Sequence, residues 1–265
     1  MMDLGIPNIG TRTMAHAIDE LAETDPGKRV CHMPESSDNP RVFFDLGIQT
    51  LAHAVNYMSW WIEKEFGKGD SYNETVAYLG ANDVRYLVMV VACNKTGYKP
   101  LLSSTRNSQA AHVRLFEMTN CSKIVYSPEK RQMAEDICSA APHVSSVEVP
   151  SFASMISRET SAYPLSSTFE EVKNKVAFIA HSSGTTGFPK PIQLTFAYFG
   201  ALDYGAHVPI PPGRTAGVPD RLTPDDLILS STPFFHLMGF ALLIMAVFHG
   251  IPCVILPDKP LSTDL

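Results

Sequence analysis

The sequence predicts an α/β protein built on a doubly wound parallel sheet with helices on both faces. Three observations lead to that fold class. Between residues 76 and 181, short apolar runs alternate with stretches of helical period, the pattern of successive βαβ units. The run at 176–181 is apolar and β-branched, as expected for a strand covered on both faces. At 265 residues, 45% hydrophobic and 18% charged, the chain has ample length to bury a core.

The elements follow in order. Met14, Ala17, Ile18 and Leu21 fall at helical spacing, so 13–24 is a short amphipathic helix ended by Pro26 and Gly27. Residues 42–44 read as a short strand. A longer helix spans 49–66, with Leu51, Val55, Met58, Trp61 and Ile62 on one side. Strand 76–79 comes next, then a helix over 83–96 for which Asn82 is the expected cap. Strand 99–103, helix 108–119, strand 123–127, helix 129–140 and strand 144–149 continue the rhythm. Residues 151–172 form a polar, partly helical excursion before strand 176–181. The segment 194–206 reads as a strand end plus a helix. Five prolines and two glycines make 208–224 a loop. Strand 227–231, a buried helix after His236 and a buried strand at 253–256 complete the chain.

Composition removes several function classes. Net charge is −6, without the basic field that a nucleic-acid binder uses against phosphates. Cys31, Cys93, Cys121, Cys138 and Cys253 show no C-x-x-C spacing, so neither a zinc knuckle nor a disulfide framework is expected, and the thiols read as buried and free. No basic n-region and apolar h-region open the sequence, so no secretory signal and a cytoplasmic location are expected. The sequons at Asn73, Asn94 and Asn120 are then accidental. Between Asp226 and Asp258 no Asp, Glu, Lys or Arg occurs. That run is broken by Gly250 and Pro252, and it reads as helix, turn and strand rather than a membrane span.

The segment richest in chemistry is HSSGTTGFPK at 181–190, directly after a buried strand. Small residues and two glycines let backbone N–H groups approach a polyanion. Ser183, Thr185 and Thr186 offer hydroxyl donors, and Lys190 adds a mobile charge. The loop departs from the Walker A pattern, because Pro189 and Pro191 flank Lys190 and the following hydroxyl is missing. It lacks the G-x-G-x-x-G spacing of a dinucleotide fold.

SSGTTGFPK resembles the phosphate-loop signature of the adenylate-forming superfamily, which includes acyl- and aryl-CoA ligases, luciferases and the adenylation domains of non-ribosomal peptide synthetases. STPFFHLMGF at 231–240 resembles the aromatic-His-x-x-Gly segment of its acid-activating members. Ala92 to Gly97, Pro100 to Leu102, Arg114 and the strand at 123–127 resemble the family's helix-Gly-strand unit. HSSGTTGFPKPIQLT is most similar to fungal synthetase-like carboxylate reductases, in which adenylation, carrier and reductase domains share one chain. The resemblance covers nearly the whole sequence.

The resemblance implies ATP and Mg2+ as cofactors, and a carboxylic acid that is joined to AMP with release of pyrophosphate and then passed to a thiol. That thiol is coenzyme A or a phosphopantetheine carrier. Ser182, Ser183, Gly184, Thr185, Thr186, Gly187 and Lys190 are implied to hold the β- and γ-phosphates. Phe235, His236 and Gly239 are implied to line the acid pocket, with His236 and Lys190 as the catalytic pair and no residue assigned to metal. The segment 233–236 reads Pro-Phe-Phe-His, without an acid to pair an α-amine. A buried ammonium without an anion is costly, so an aryl or aliphatic acid is expected rather than an α-amino acid. His236 also reads simply as a histidine at a helix start, and Phe234, Phe235 and Phe240 fit plain core equally well.

The chain is expected to be the N-terminal portion of the family's large domain, with 1–225 in a first αβ region and 226–265 opening a second. The adenine-stacking segment, the ribose-binding Asp, the hinge and the small C-terminal domain have no counterpart in it. Two other readings stand beside the enzyme. One is a truncated, non-catalytic member of the fold that binds a partner, such as a carrier domain or the missing half. The other is an unrelated nucleotide-binding enzyme, which would need a magnesium-binding acid. Asp203, Asp225 and Asp226 are candidates for that role by residue type alone.

Overall fold

The computed structural model describes residues 8–35, 42–157, 160–182, 188–205, 207–215 and 222–257. The chain order is α1 (Met14–Thr24), β1 (Arg29–Pro34), β2 (Phe43–Gly47), α2 (Ile48–Phe66), β3 (Thr75–Leu79), α3 (Arg85–Lys95), β4 (Lys99–Leu102), α4 (Gln109–Thr119), β5 (Cys121–Tyr126), α5 (Arg131–Ala140), β6 (Ser145–Glu148), α6 (Phe152–Ile156), α7 (Phe169–Val172), β7 (Val176–Ser182), β8 (Lys190–Thr195), α8 (Phe196–Gly205), β9 (Ile228–Leu229), α9 (Leu237–Phe248) and β10 (Cys253–Val254).

Two sheets form, and helices cover both faces of the larger one. Its strand order is β6-β5-β3-β4-β7-β8, all parallel except β8, which runs antiparallel to β7. Side chains alternate across it. Val76 and Tyr78 of β3 face one core with Leu102 and Val125, while Ala77 and Leu79 face another with Leu101 and Ile124. The first core is closed by α3, whose residues are all buried, with α2, α1 and α9 packed outside it. The second is closed by α4 and α5. Each large apolar side chain so buried contributes about 1.5–3 kcal/mol, which is why a helix with the apolar run Leu87–Cys93 can sit between two layers.

The smaller sheet has the order β2-β1-β10-β9. Here β10 lies parallel between β1 and β9, with Cys31 in register with Cys253. Residues from 226 onward therefore add strands to a sheet already begun by residues 29–47.

Several local expectations need correction. The strand β1 was not anticipated, and β2 and β8 are antiparallel where a wholly parallel sheet was expected. β8 begins at Lys190 despite Pro191, because it is an edge strand, where a missing N–H leaves no ladder bond unmade. Asn82 does not cap α3. Val84 takes the N-cap position without a side-chain bond, and the Asn82 side chain is engaged elsewhere. No helix among the described residues is long and apolar enough to cross a membrane.

Candidate active site

The C-terminal ends of the parallel strands converge on one edge of the larger sheet. The strand order reverses between β3 and β4, since β4 and β5 lie on opposite sides of β3. Such a switch point opens a crevice above the strand ends, where α/β proteins bind ligands. The loops after β3, β4 and β7 all reach it.

β7 carries the chain to Ser182, and β8 starts at Lys190. The two are ladder partners, with Pro191 opposite His181 and Ile192 opposite Ala180. The loop thus leaves and re-enters the sheet at one point. Ser183, Gly184, Thr185, Thr186 and Gly187 lie outside the described residues. Lys190 is exposed and meets no carboxylate among the described residues, so its charge is available to an anion.

The second wall is the segment before α9. Its course is set by three hydrogen bonds. The Thr232 amide donates to Ser230 Oγ at 3.1 Å, the Phe234 amide to Asn82 Oδ1 at 2.7 Å, and the His236 amide to the Pro233 carbonyl at 2.9 Å. Asn82 ends the β3 loop, so this bond ties the segment to the switch point. His236 is the N-cap of α9, its Nδ1 accepting the Met238 amide at 3.3 Å. That leaves Nε2 as the protonated nitrogen of an exposed ring. Gly239 sits under the same turn. A Cβ there would come within 2.3 Å of the Pro233 carbonyl oxygen, so glycine is what lets the 232–233 backbone pack against the helix.

The aromatic residues of this wall divide by burial. Phe234 is 1% exposed and Phe240 0%, both in the first core, and Phe240 packs on Phe178 with ring centroids 5.1 Å apart. Phe235 is half-buried at the surface, with the Arg106 guanidinium carbon 6.0 Å from its ring centroid. Of the three, Phe235 alone is partly exposed, beside Arg106 of the loop after β4.

Two further histidines flank the strand ends. His181 Nε2 accepts the Ser104 amide at 2.9 Å. Burial, and then His236, push His181 below its ordinary range. His112 on α4 lies 2.9 Å from Ser103 Oγ. Burial, with His181 beside it, takes His112 down to about 4. Sequence reading had not singled out Ser104, Arg106 or His112. Asn82 was read as a cap and His181 as a strand end. The available signal was position: Asn82, Ser104 and Arg106 follow strands of the parallel set, and His181 lies at the end of one.

Of the three acids considered for an unrelated magnesium site, Asp203 and Asp226 are engaged in structure, and Asp225 is exposed. Asp203 is 0% exposed and takes a bidentate bond from Arg12, 3.0 Å to each oxygen. Asp226 accepts the Thr223 amide at 2.8 Å. No group of three His, Cys, Asp or Glu poised for a metal occurs among the described residues.

Known proteins resemble this chain in sequence and fold. The chain is 28% identical over 255 residues to an isocyanide synthase–NRPS hybrid of Aspergillus fumigatus, covering 94% of this chain and 16% of that protein. It is 28% identical over 263 residues to a carboxylic acid reductase of Neurospora crassa, covering 98% and 25%. Among solved structures, the N-terminal domain of FACL13 from Mycobacterium tuberculosis superposes with a TM-score of 0.74 at 16% identity, over 94% of this chain and 58% of that one. The chain spans a quarter or less of these two curated relatives and corresponds to part of an adenylate-forming domain. The family model that describes an AMP-binding enzyme matches residues 28–265, and it is to that adenylate-forming family that the chain belongs.

Proposed function

We propose that this chain carries the triphosphate-holding and acid-facing part of a domain that adenylates a carboxylic acid. The observation that supports this most directly is the backbone pairing of Ser182 with Lys190 at the end of β7, Lys190 meeting no carboxylate among the described residues, with the His236 segment tied across the crevice by Asn82. In the reaction a carboxylate oxygen attacks the α-phosphorus of ATP. The acyl–phosphate bond forms, the bond to the β-phosphate bridging oxygen breaks, and pyrophosphate leaves. A thiol then attacks the acyl carbon and AMP departs.

Ser182, Ser183, Gly184, Thr185, Thr186, Gly187 and Lys190 hold the β- and γ-phosphates in this reading, by positioning and charge. His236 stands beside the carboxylate through its protonated Nε2. Phe235 and Gly239 form the apolar wall. Mg2+, bound with the triphosphate, would supply charge neutralisation there, and no residue of this chain is assigned to hold the ion. The wall offers Phe235 and no carboxylate between residues 233 and 236, which favours an aryl or aliphatic acid. The acceptor is coenzyme A or a carrier phosphopantetheine. A cytoplasmic place in secondary metabolism fits the reductase-like relatives.

The test is carboxylate-dependent exchange of labelled pyrophosphate into ATP, on native product captured from its own cell with an antibody against 182–190. Exchange stimulated by one class of acid supports the reading. ATP binding with no exchange under any acid overturns it. A second reading, a non-catalytic member that docks a partner, is favoured by one observation: β9 is a sheet edge and leaves Leu227 48% and Leu229 58% exposed.

A further inference from the structure

Two consecutive serines at the end of β4 each engage a histidine. Ser103 Oγ meets His112 Nδ1 and the Ser104 amide donates to His181 Nε2, both at 2.9 Å. The backbone register of β4 with β7 is Leu101 opposite Ile179. β4 ends at Leu102, while β7 runs on to Ser182. Beyond the ladder, the His181 ring takes the amide that a strand carbonyl would otherwise accept. It therefore continues the tie between the two strands up to the residue from which the loop departs.

Accepting that amide fixes the ring's state. Nε2 is bare, and the proton sits on Nδ1, turned toward the Ser182 carbonyl at 3.4 Å. A second proton on Nε2 would face the Ser104 N–H, donor against donor, and the bond would be lost. The groups around the ring do not invite that proton. His112 faces it from α4, 1% exposed, its Nε2 without a hydrogen-bond partner among the described residues. His236 faces it from the turn before α9. Lys190 is the ladder partner of Ser182, and Arg106 lies two residues past Ser104. None of these is a carboxylate.

We propose that His181 is a positioning residue for polyphosphate binding, acting through the Ser104 amide as a neutral latch that fixes where β7 presents Ser182 opposite Lys190. The proposal rests on the adenylation reading above. It carries an unusual sign. Protonating a histidine near a polyanion site adds attraction, so charge alone predicts tighter binding in acid. The latch predicts weaker binding, because the acceptor is lost.

The test is calorimetric titration of the 265-residue chain with tripolyphosphate, at about pH 8 and about pH 4.5, the lower value set well under an ordinary histidine because burial holds His181 down. H181Q keeps an acceptor oxygen that does not titrate, and it cancels the protonation of the ligand itself. Wild type is expected to lose about tenfold more affinity than H181Q on acidification. H181F, with no acceptor, is expected to bind about tenfold more weakly than wild type at the higher pH. Long-range 1H–15N spectra report the ring directly: an Nδ1–H tautomer is expected, with the Ser104 amide shift following the His181 titration.

An Nε2–H tautomer, or a Ser104 amide indifferent to His181, overturns the latch even if H181F fails to fold. Tripolyphosphate binding that is the same in wild type, H181Q and H181F also overturns it, while leaving the adenylation reading intact. No binding to wild type at either pH defeats the phosphate-holding reading and the positioning role with it, whatever the spectra show.

Discussion

The Phe234 amide donates to Asn82 Oδ1 at 2.7 Å across 152 positions of sequence. This one bond joins the switch point of the larger sheet to the wall that carries Phe235 and His236. Phe234 itself is buried beneath, so the wall is pinned by an apolar ring below and a polar bond beside it.

Asn82→Ala leaves that amide without its acceptor in a part-buried place. The expected loss is about 1–3 kcal/mol of folding stability, read by urea unfolding. Asn82→Asp keeps an acceptor oxygen and is expected to recover most of it. A helix cap would respond differently, through helix content at α3. Equal stability of wild type and the alanine variant would show that the bond contributes nothing.

The Arg12–Asp203 pair locks the N-terminal segment onto α8. Asp203 accepts three donors, from Arg12 Nε, Arg12 Nη2 and the Gly10 amide. Breaking a buried pair by removing one partner strands the other charge, and the expected destabilisation of Arg12→Ala is about 3–5 kcal/mol. Against a typical total of about 5–15 kcal/mol, this variant unfolds at much lower urea. An unfolding midpoint within error of wild type would place the pair in solvent instead.

Most of the layered fold was legible because α3, β3, β4 and the inner parts of β5 and β7 are buried, and burial writes itself as apolar runs. β1 escaped notice because Arg29, His32 and Pro34 interrupt its apolar residues, and its partner β10 is more than two hundred positions away. β8 was obscured by Pro191, a residue that only an edge position tolerates. The loop proposed to hold phosphate stands out by composition, since amide cradles need small residues. Asn82, Ser104 and His181 do not, because each acts through one hydrogen bond to a residue distant in sequence. No local pattern records such a bond.

His112 makes stability depend on pH. Its folded-state pKa, near 4, lies below the ordinary value of about 6.5. In the window between the two, the unfolded chain binds the extra proton and the folded chain does not. Stability is therefore fully present above about pH 6.5 and falls as pH drops toward 4, by about 1.4 kcal/mol per unit. His112→Asn keeps a group for Ser103 and removes the titration. The difference between the two unfolding profiles, measured across that window, isolates the histidine from carboxylates common to both. A constant offset would mean that the ring protonates as easily in the folded protein as in the unfolded one.

Lys190 is exposed and unpaired among the described residues, so Lys190→Ala is expected to leave the unfolding midpoint unchanged. Its effect belongs to the anion. A charge-assisted contact removed from a triphosphate weakens binding on the order of tenfold or more, and the loss shrinks at high salt as screening replaces the contact. ATP titrations at low and high ionic strength, on wild type and variant, separate this from a folding effect. Equal affinities at low salt would remove Lys190 from the phosphate site, and they would leave the hairpin between β7 and β8 as a structural turn.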